Sequence, residues 1–191
     1  MLRTITTVVL ALAMAPPAGA ANDLVPPSVP PSLAVPSGYT AYTIARAEGT
    51  QNYICMPSGK SVAWTFLGPQ ATLFGADGEQ TMTHYLSPNP DQDGAARATW
   101  RHSRDTSTVW AAAIASYSGP DYVEAGAIPW LLLRVVGTED GPSWGDRLSG
   151  TAYIQRVNTS GGVAPASGCR GNADIGTRAL VPYTTLYVFY R

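Results

Sequence analysis

The sequence predicts an all-β fold, a sandwich or a partly closed barrel of about nine or ten strands with little helix. Three observations lead to this prediction. Short runs rich in Val, Ile, Thr, Tyr and Trp recur along the chain, as strands prefer. Turn pairs such as Asp77-Gly78 and Asp93-Gly94 separate these runs. No stretch keeps the helical period of apolar residues over three turns.

The chain begins with a segment typical of a secretory signal peptide, residues 1–20. Arg3 precedes an apolar run that Pro16-Pro17 ends, and Ala18-Gly19-Ala20 supplies the small residues of a cleavage site. The run is far shorter than the roughly 20 residues that span a bilayer, which disfavours a transmembrane anchor. We therefore expect a secreted or periplasmic protein whose mature chain has no membrane span.

A proline-rich segment follows, residues 21–38. Its five prolines favour extended polyproline II, so we interpret it as an arm or spacer. It could lie on the domain surface or hold the domain away from the envelope. The remaining residues, 39–191, are long enough to bury a core as a single β domain.

The candidate strands alternate with turns over this whole domain. They are Tyr39–Ala47, Gln51–Cys55, Ser61–Leu67, Gln80–Leu86, Arg97–His102, Thr108–Ala115, Ile128–Val136, Leu148–Asn158 and Leu180–Tyr190. In TAYIQRV, Gln155 and Val157 should face one way and Ile154 and Arg156 the other. PWLLLRVV is apolar almost throughout, which indicates a central strand covered on both faces.

Composition and motifs exclude several classes of function. The formal net charge of −1 gives no electrostatic reason to expect nucleic acid or anionic lipid as a partner. No glycine-rich phosphate loop is present. GPSWG, residues 141–145, matches the pattern of a hydrolase nucleophile elbow, but no strand leads into it, no helix follows, and both histidines lie upstream.

The two cysteines, Cys55 and Cys169, predict a disulfide in an exported protein. A metal pair or a thiol nucleophile is the alternative. Neither cysteine lies in a C-x-x-C or C-x-x-H setting, and a thiol nucleophile would have to stay reduced outside the cell.

The two histidines, His84 and His102, are candidate metal ligands only in principle. Zinc and copper sites usually need three or four close protein ligands, and the chain has no H-x-H or H-E-x-x-H pattern. We therefore expect ordinary hydrogen-bonded histidines, with no metal and no cofactor.

Paired carboxylates could support glycoside hydrolysis if two of them faced each other across a cleft. The candidates all fall in apparent turns, where acids are usually solvated: Glu48, Glu79, Asp91, Asp93 and Glu124. Sequence alone does not bring any two of them together, so a carboxylate-dependent hydrolase stays the alternative hypothesis.

Five Trp and ten Tyr are available for a core or a ligand groove. Trp64 and Trp130 lie in apolar strands and should be core residues. Trp100 and Trp144 should be exposed, and exposed indoles suit sugar rings or partner proteins.

One cluster of residues predicts a binding site. The loop at residues 87–95 follows His84-Tyr85 and precedes Trp100 and His102, so His84, Tyr85, Trp100 and His102 could line one concavity above the sheet. The alternative is that residues 87–95 form only a solvated hairpin loop.

Several blocks in order resemble the family of exported bacterial and fungal proteins catalogued as domain of unknown function 3455. They are GTQNYIC, GAIPWLLL, YIQRVNTSGGVAPASGC and VPYTTLYVFY, and the resemblance begins at about Pro36. The usual central segment of that family is replaced here by SPNP and DGA. The resemblance implies export and one domain, and it implies no catalytic residue.

Together these observations predict an exported, non-catalytic β domain that binds a ligand or partner at or outside the cell surface, with a glycan or an envelope protein as the candidate partner. The alternative is an extracellular carboxylate-dependent hydrolase acting on envelope or environmental glycans. Metal handling is the third hypothesis.

Overall fold

The computed structural model describes residues 24–191. The predicted signal peptide at residues 1–20 lies outside the described residues. Within them, no helix is both long and apolar enough to cross a bilayer.

Eight antiparallel strands close into a barrel in which each strand pairs with the next and β8 pairs with β1. Three short 3₁₀ helices, Pro31–Leu33, Pro90–Gln92 and Asn172–Asp174, are the helical elements of residues 24–191. The all-β prediction is therefore confirmed, in its barrel form. The strands are β1 Ala41–Ser58, β2 Ser61–Phe74, β3 Gln80–Asn89, β4 Ala95–His102, β5 Thr108–Tyr117, β6 Trp130–Glu139, β7 Tyr153–Gly161 and β8 Arg178–Tyr190.

The first two candidate strands form one continuous strand, β1, so the count is eight. The polar residues around Gly49 resemble a turn in the sequence, yet Gly49 pairs with Ala71 on one side and Tyr183 on the other. A Cβ at Gly49 would collide with the carbonyl oxygen of Gln70. The glycine therefore permits close approach of two backbones inside a strand instead of ending it.

Large aromatic side chains and alanines together fill the barrel interior. Trp100, Tyr187 and Phe189 are almost completely buried there. Ala45 and Ala47 lie in the same cluster and leave room for these rings. This pairing of small and large residues is how a narrow barrel packs its lumen.

A second cluster covers part of the outer wall beneath the proline-rich arm. Leu33 of the arm is fully buried in it, and the Leu33 carbonyl accepts a hydrogen bond of 2.7 Å from Gln155 Nε2. The arm therefore lies on the domain surface around Leu33, the first of the two arrangements that its sequence allowed. The buried members of this outer cluster are Leu33, Val123, Trp130, Leu132, Val157, Val188 and Tyr190.

The two ends of the barrel are closed differently. At the plugged end, residues 140–152 cross the opening and place Leu148 within the interior cluster. At the open end lie the turn at residues 59–60 and the segments 90–94, 118–129 and 162–177. The predicted loop 87–95 is shorter than expected, because β3 runs on to the buried Asn89, whose Nδ2 donates to the carbonyl of Val136.

Candidate functional site

Two of the four predicted site residues meet inside the barrel. His84 in β3 is paired with Trp100 in β4, and their rings stack with centroids 4.2 Å apart. Residues directly opposite each other in an antiparallel pair share a face of the sheet, and here that face is the lumen. The prediction that Trp100 is exposed is therefore wrong, since its exposed fraction is 0%. Trp130 is buried and Trp144 is 91% exposed, as predicted, but Trp64 is only half-buried, so the prediction that it is a core residue is wrong.

A cavity of about 380 Å³ extends from this aromatic pair toward the open end. Its inner part is formed by Gln51, His84, Trp100, Arg156 and Tyr187. Its outer part is mostly apolar, with Arg97 as its charged member, and is formed by residues that include Phe66, Leu86, Ala98, Ala113 and Leu131. Small-ligand sites commonly have this composition, with apolar walls and a few convergent polar groups.

Three of the inner residues carry buried polar atoms that make no hydrogen bond of normal geometry to a described group: Gln51 Nε2, Trp100 Nε1 and Tyr187 Oη, although Tyr187 lies close to Tyr183 and Arg156. The hydroxyl of Tyr183, a buried neighbour in the same interior cluster, is also unpartnered. Leaving a buried polar atom unpaired costs about 1–3 kcal/mol. Two more such atoms, Thr106 Oγ1 and Trp130 Nε1, lie elsewhere, so most of the unpartnered atoms of residues 24–191 are found around this cavity.

His84 is neutral and its tautomer follows from its partner. Its Nδ1 lies 2.8 Å from the carbonyl oxygen of Thr99, which can only accept, so Nδ1 carries the proton and Nε2 keeps a lone pair. Burial lowers the pKa of His84 to about 3, against a smaller opposite effect of that hydrogen bond. His84 thus supplies a flat, uncharged surface at the base of the cavity.

The tyrosine hydroxyls of the inner cavity remain protonated. Burial raises the pKa of Tyr187, and burial also raises the pKa of Tyr183. A phenol is a donor as well as an acceptor. Together with Gln51 Nε2 and Trp100 Nε1, these hydroxyls make the inner cavity rich in hydrogen-bond donors.

Arg156 contributes a positive charge to the same cavity. In the strand ladder it lies opposite Leu131 on one side and Tyr187 on the other, which points it into the lumen, on the face opposite to that of Gln155. Its Nε and Nη2 donate to the carbonyl of Pro129 at 3.2 and 2.8 Å. Among residues 24–191 no carboxylate lies within salt-bridge distance of this guanidinium.

Tyr85 and His102, the other two predicted site residues, lie elsewhere. Tyr85 follows His84 in β3 and therefore faces the outer surface, where it borders two other pockets, one of which, of about 880 Å³, His84 also borders. His102 faces the lumen but borders a different cavity, of about 780 Å³, at the plugged end. The four residues therefore do not share one concavity. His84 and Trp100 share the open-end cavity without the other two.

His102 is bound into the local structure of the plugged end. Its Nδ1 accepts from the backbone N–H groups of Arg104 and Asp105 at 3.3 Å each. Burial lowers the pKa of His102, and the nearby Asp105 carboxylate partly opposes that effect. Asp105 itself accepts from Ser107 Oγ and from the backbone N–H of Arg147.

The GPSWG segment is a closed turn and not a nucleophile elbow. Gly141 and Gly145 form an isolated bridge, and Trp144 N–H donates to the Gly141 carbonyl. A Cβ at Gly141 would collide with the backbone of Asp105, so the glycine is needed for this close contact.

The five candidate acids do not converge. Glu48 pairs with Arg46 and Glu79 pairs with Arg104, both on the surface. The lining of the open-end cavity contains none of the acids of residues 24–191. Over the same range, no group of three or more His, Cys, Asp or Glu side chains could hold a metal ion.

Cys55 and Cys169 lie at bonding distance, with Cα atoms 5.4 Å apart. Such a pair is typical of proteins in oxidising compartments. Cys55 is in β1, and Cys169 is in the segment 162–177, which we call the anchored loop.

Trp64 Nε1 donates to Ser167 of this loop, and Tyr53 Oη donates to Gly162 at its start. Tyr53 also packs against Phe66, which borders the cavity.

Sequence reasoning missed three residues of the inner cavity, Gln51, Arg156 and Tyr187. The sequence did contain an indication that Arg156 faces the interior, because the alternation in TAYIQRV places it on the same face as the apolar Ile154. Gln51 and Tyr187 had none, since they belong to the first and last strands and meet only when β8 pairs with β1.

Comparison with known proteins gives one match. A family model described as "Protein of unknown function (DUF3455)" matches residues 36–191. Neither a curated protein nor a solved structure matches the chain.

Proposed function

Because the chain belongs to the DUF3455 family of proteins of unknown function, we propose a function from its own geometry: it is a non-catalytic binding domain that takes a small molecule into the open end of its barrel. The observation that supports this proposal best is the set of unpartnered buried donors, Gln51 Nε2, Trp100 Nε1 and Tyr187 Oη, around a cavity of about 380 Å³. A bound molecule carrying hydrogen-bond acceptors would pair these atoms.

Two further features of the cavity support binding over catalysis. His84 is uncharged at neutral pH because its pKa is lowered to about 3, which removes it as a proton donor or acceptor near pH 7. The acids that a carboxylate-dependent hydrolase requires are absent from the cavity lining within the described chain. The cavity therefore offers a ligand the aromatic rings of His84 and Trp100 and several hydrogen-bond donors.

The experiment is a titration with the fluorescent neutral probe N-phenyl-1-naphthylamine. We expect saturable binding to the wild-type protein and loss of it in Ala96→Trp, since Ala96 is an exposed residue of the cavity lining. Ile114→Trp is the matched control, because Ile114 is exposed on the same end and does not line the cavity. Equal binding by all three proteins would contradict a site in the lumen.

Export is part of the proposal. It is supported by the sequence of residues 1–20 and by the bonding distance between Cys55 and Cys169. Protein recovered outside the cytoplasm should begin at Ala21 or Asn22 by mass spectrometry. Recovery of the intact Met1-containing chain from membranes would refute cleavage.

A second candidate function concerns the glycan or envelope protein expected from exposed indoles. Trp100 cannot serve it from the core, but Trp144 can, since it is 91% exposed at the tip of a turn. In a screen against glycans and envelope components, Trp144→Ala should lose whatever interaction this indole supports. A hit that survives the substitution would remove Trp144 from consideration.

A further inference from the structure

We infer that the molecule taken into the open end is a small organic anion, an apolar body carrying one carboxylate or similar acidic group that Arg156 binds. This inference rests on the proposed function and adds the chemical class of its ligand. The first argument is the sign of the charge in the cavity: Arg156 lines its inner part and Arg97 its outer part, and among the described residues no acidic side chain lines it.

The second argument is the state of the guanidinium. Arg156 has five N–H donors, and its Nε and Nη2 are directed to a single acceptor, the carbonyl of Pro129. A neutral carbonyl orients the group without neutralising it. A partly buried charge is stabilised by an opposite charge, and a planar guanidinium matches a carboxylate with two parallel hydrogen bonds.

The third argument is that the neighbouring unpartnered atoms can also donate. Trp100 Nε1 and Gln51 Nε2 are donors only, and the Tyr187 hydroxyl can donate. An anionic group accepts several hydrogen bonds at once, whereas an ammonium group can accept none. The positive charge of Arg156 also acts on neighbouring rings. It partly offsets the larger rise that burial causes in the pKa of Tyr187, and it adds to the larger fall that burial causes in the pKa of His84.

The fourth argument concerns the apolar half of the ligand. Phe66, Leu86 and Leu131 lie between the donors and the opening, so a ligand whose acidic group reaches Arg156 must leave its other end against them. A fully hydrated inorganic anion would not use these walls. The combination therefore favours an amphipathic anion over phosphate or sulfate.

The test compares two probes with the same aromatic body, 8-anilino-1-naphthalenesulfonate, which is anionic, and N-phenyl-1-naphthylamine, which is neutral. With wild-type protein we expect the anion to bind about tenfold or more tightly, the usual scale of a charge-assisted hydrogen bond. In Arg156→Gln the ratio of the two affinities should fall to about one, because the side chain stays polar and loses its charge. Arg156→Lys, which keeps the charge and loses the planar fork, should restore part of the preference for the anion.

Each other outcome is decisive. If the neutral probe binds as tightly as the anion, the inference is overturned and the proposed function stands. If the preference for the anion persists in Arg156→Gln, Arg156 does not recognise the acidic group and the inference is again overturned. If neither probe binds, the proposed function fails and the inference fails with it. Binding of the neutral probe to Arg156→Gln shows that the variant has kept the cavity.

Discussion

Leu148 lies at the plugged end of the barrel interior and Trp100 lies at the inner end of the open-end cavity, and their polar groups differ in whether they have hydrogen-bond partners. At the plugged end, the Leu148 N–H donates to Ser107 Oγ at 3.1 Å, and its carbonyl accepts from Thr151 Oγ1 at 2.6 Å. Toward the open end, Trp100 Nε1 is buried with no partner among the described residues. Among residues 24–191, four of the buried polar atoms without a partner thus lie around the open-end cavity, whereas one, Thr106 Oγ1, lies at the plugged end, which has a cavity of its own.

The two histidines also differ in how many hydrogen bonds their rings make. The ring of His102 at the plugged end receives two backbone N–H groups and contacts Asp105. The ring of His84 makes one hydrogen bond, to Thr99, and presents its face to Trp100. The comparison teaches that loops can satisfy the buried polar groups of this fold, as residues 103–107 and 140–152 do for most of those at the plugged end.

The largest expected effect concerns the anchored loop beside the open end. Cys55→Ala with Cys169→Ala removes the bond that closes a loop of 114 positions, and we expect a loss of about 4–5 kcal/mol in the free energy of unfolding. Urea denaturation measures the loss, and the wild-type protein treated with a reductant is the matched control. Two free thiols on labelling of the unreduced, denatured wild type would refute the disulfide.

The next prediction concerns a substitution that destabilises the plugged end. Leu148→Ala removes a buried side chain beside the plugged-end cavity and enlarges that cavity, so the free energy of unfolding should fall by about 2–5 kcal/mol. Affinity of the open end for N-phenyl-1-naphthylamine should not change, because Leu148 does not line that cavity. A parallel loss of stability and of probe affinity would show that the two ends are not independent.

Acid should destabilise the protein through His84. Its pKa in the folded state, about 3, lies below the usual value of 6.5, so the unfolded chain takes up the proton first and stability falls as pH drops below 6.5. For one such group the loss is about 2 kcal/mol between pH 6.5 and pH 5. In an NMR titration of the folded protein, the His84 ring should show no protonation above pH 5. A midpoint near 6.5 would contradict its burial.

The smallest effect compares two buried tyrosines of β8. The hydroxyl of Tyr190 donates to Gln155 Oε1 at 2.6 Å, so Tyr190→Phe should cost about 1–2 kcal/mol. The hydroxyl of Tyr187 has no partner within the described chain, so Tyr187→Phe should be neutral or stabilising in the ligand-free protein. Urea denaturation of the two variants measures the difference. Equal costs would indicate that Tyr187 is already paired.

The sequence allowed much of the barrel to be predicted, because strand composition and turn residues are local signals. Its main local error, at Gly49, arose because a glycine that permits close backbone contact resembles one that makes a turn. The error at Trp100 was avoidable. In β4 the residues Ala98, Trp100 and His102 share a face, and Arg97 and Arg101 lie on the other. That alternation places Trp100 inside the barrel.

The site itself could be predicted only in part. His84 and Trp100 are close in sequence and are joined by one hairpin, so proximity along the chain was enough to associate them. Arg156 and Tyr187 meet through the β7–β8 pair, and Gln51 joins them through closure of the barrel. Strand order and register decide those contacts, and neither can be determined from local pattern.

The most direct measurement of the difference between the two ends is a ¹H–¹⁵N NMR spectrum of the tryptophan indole groups, assigned with single Trp→Phe variants and recorded as 8-anilino-1-naphthalenesulfonate is added. We expect the Trp100 indole signal to move as its unpartnered N–H acquires an acceptor. The signal of Trp110, whose Nε1 already donates to Ser87 at 2.8 Å, and that of the exposed Trp144 should stay in place. Movement of Trp144 with Trp100 unchanged would contradict binding in the lumen.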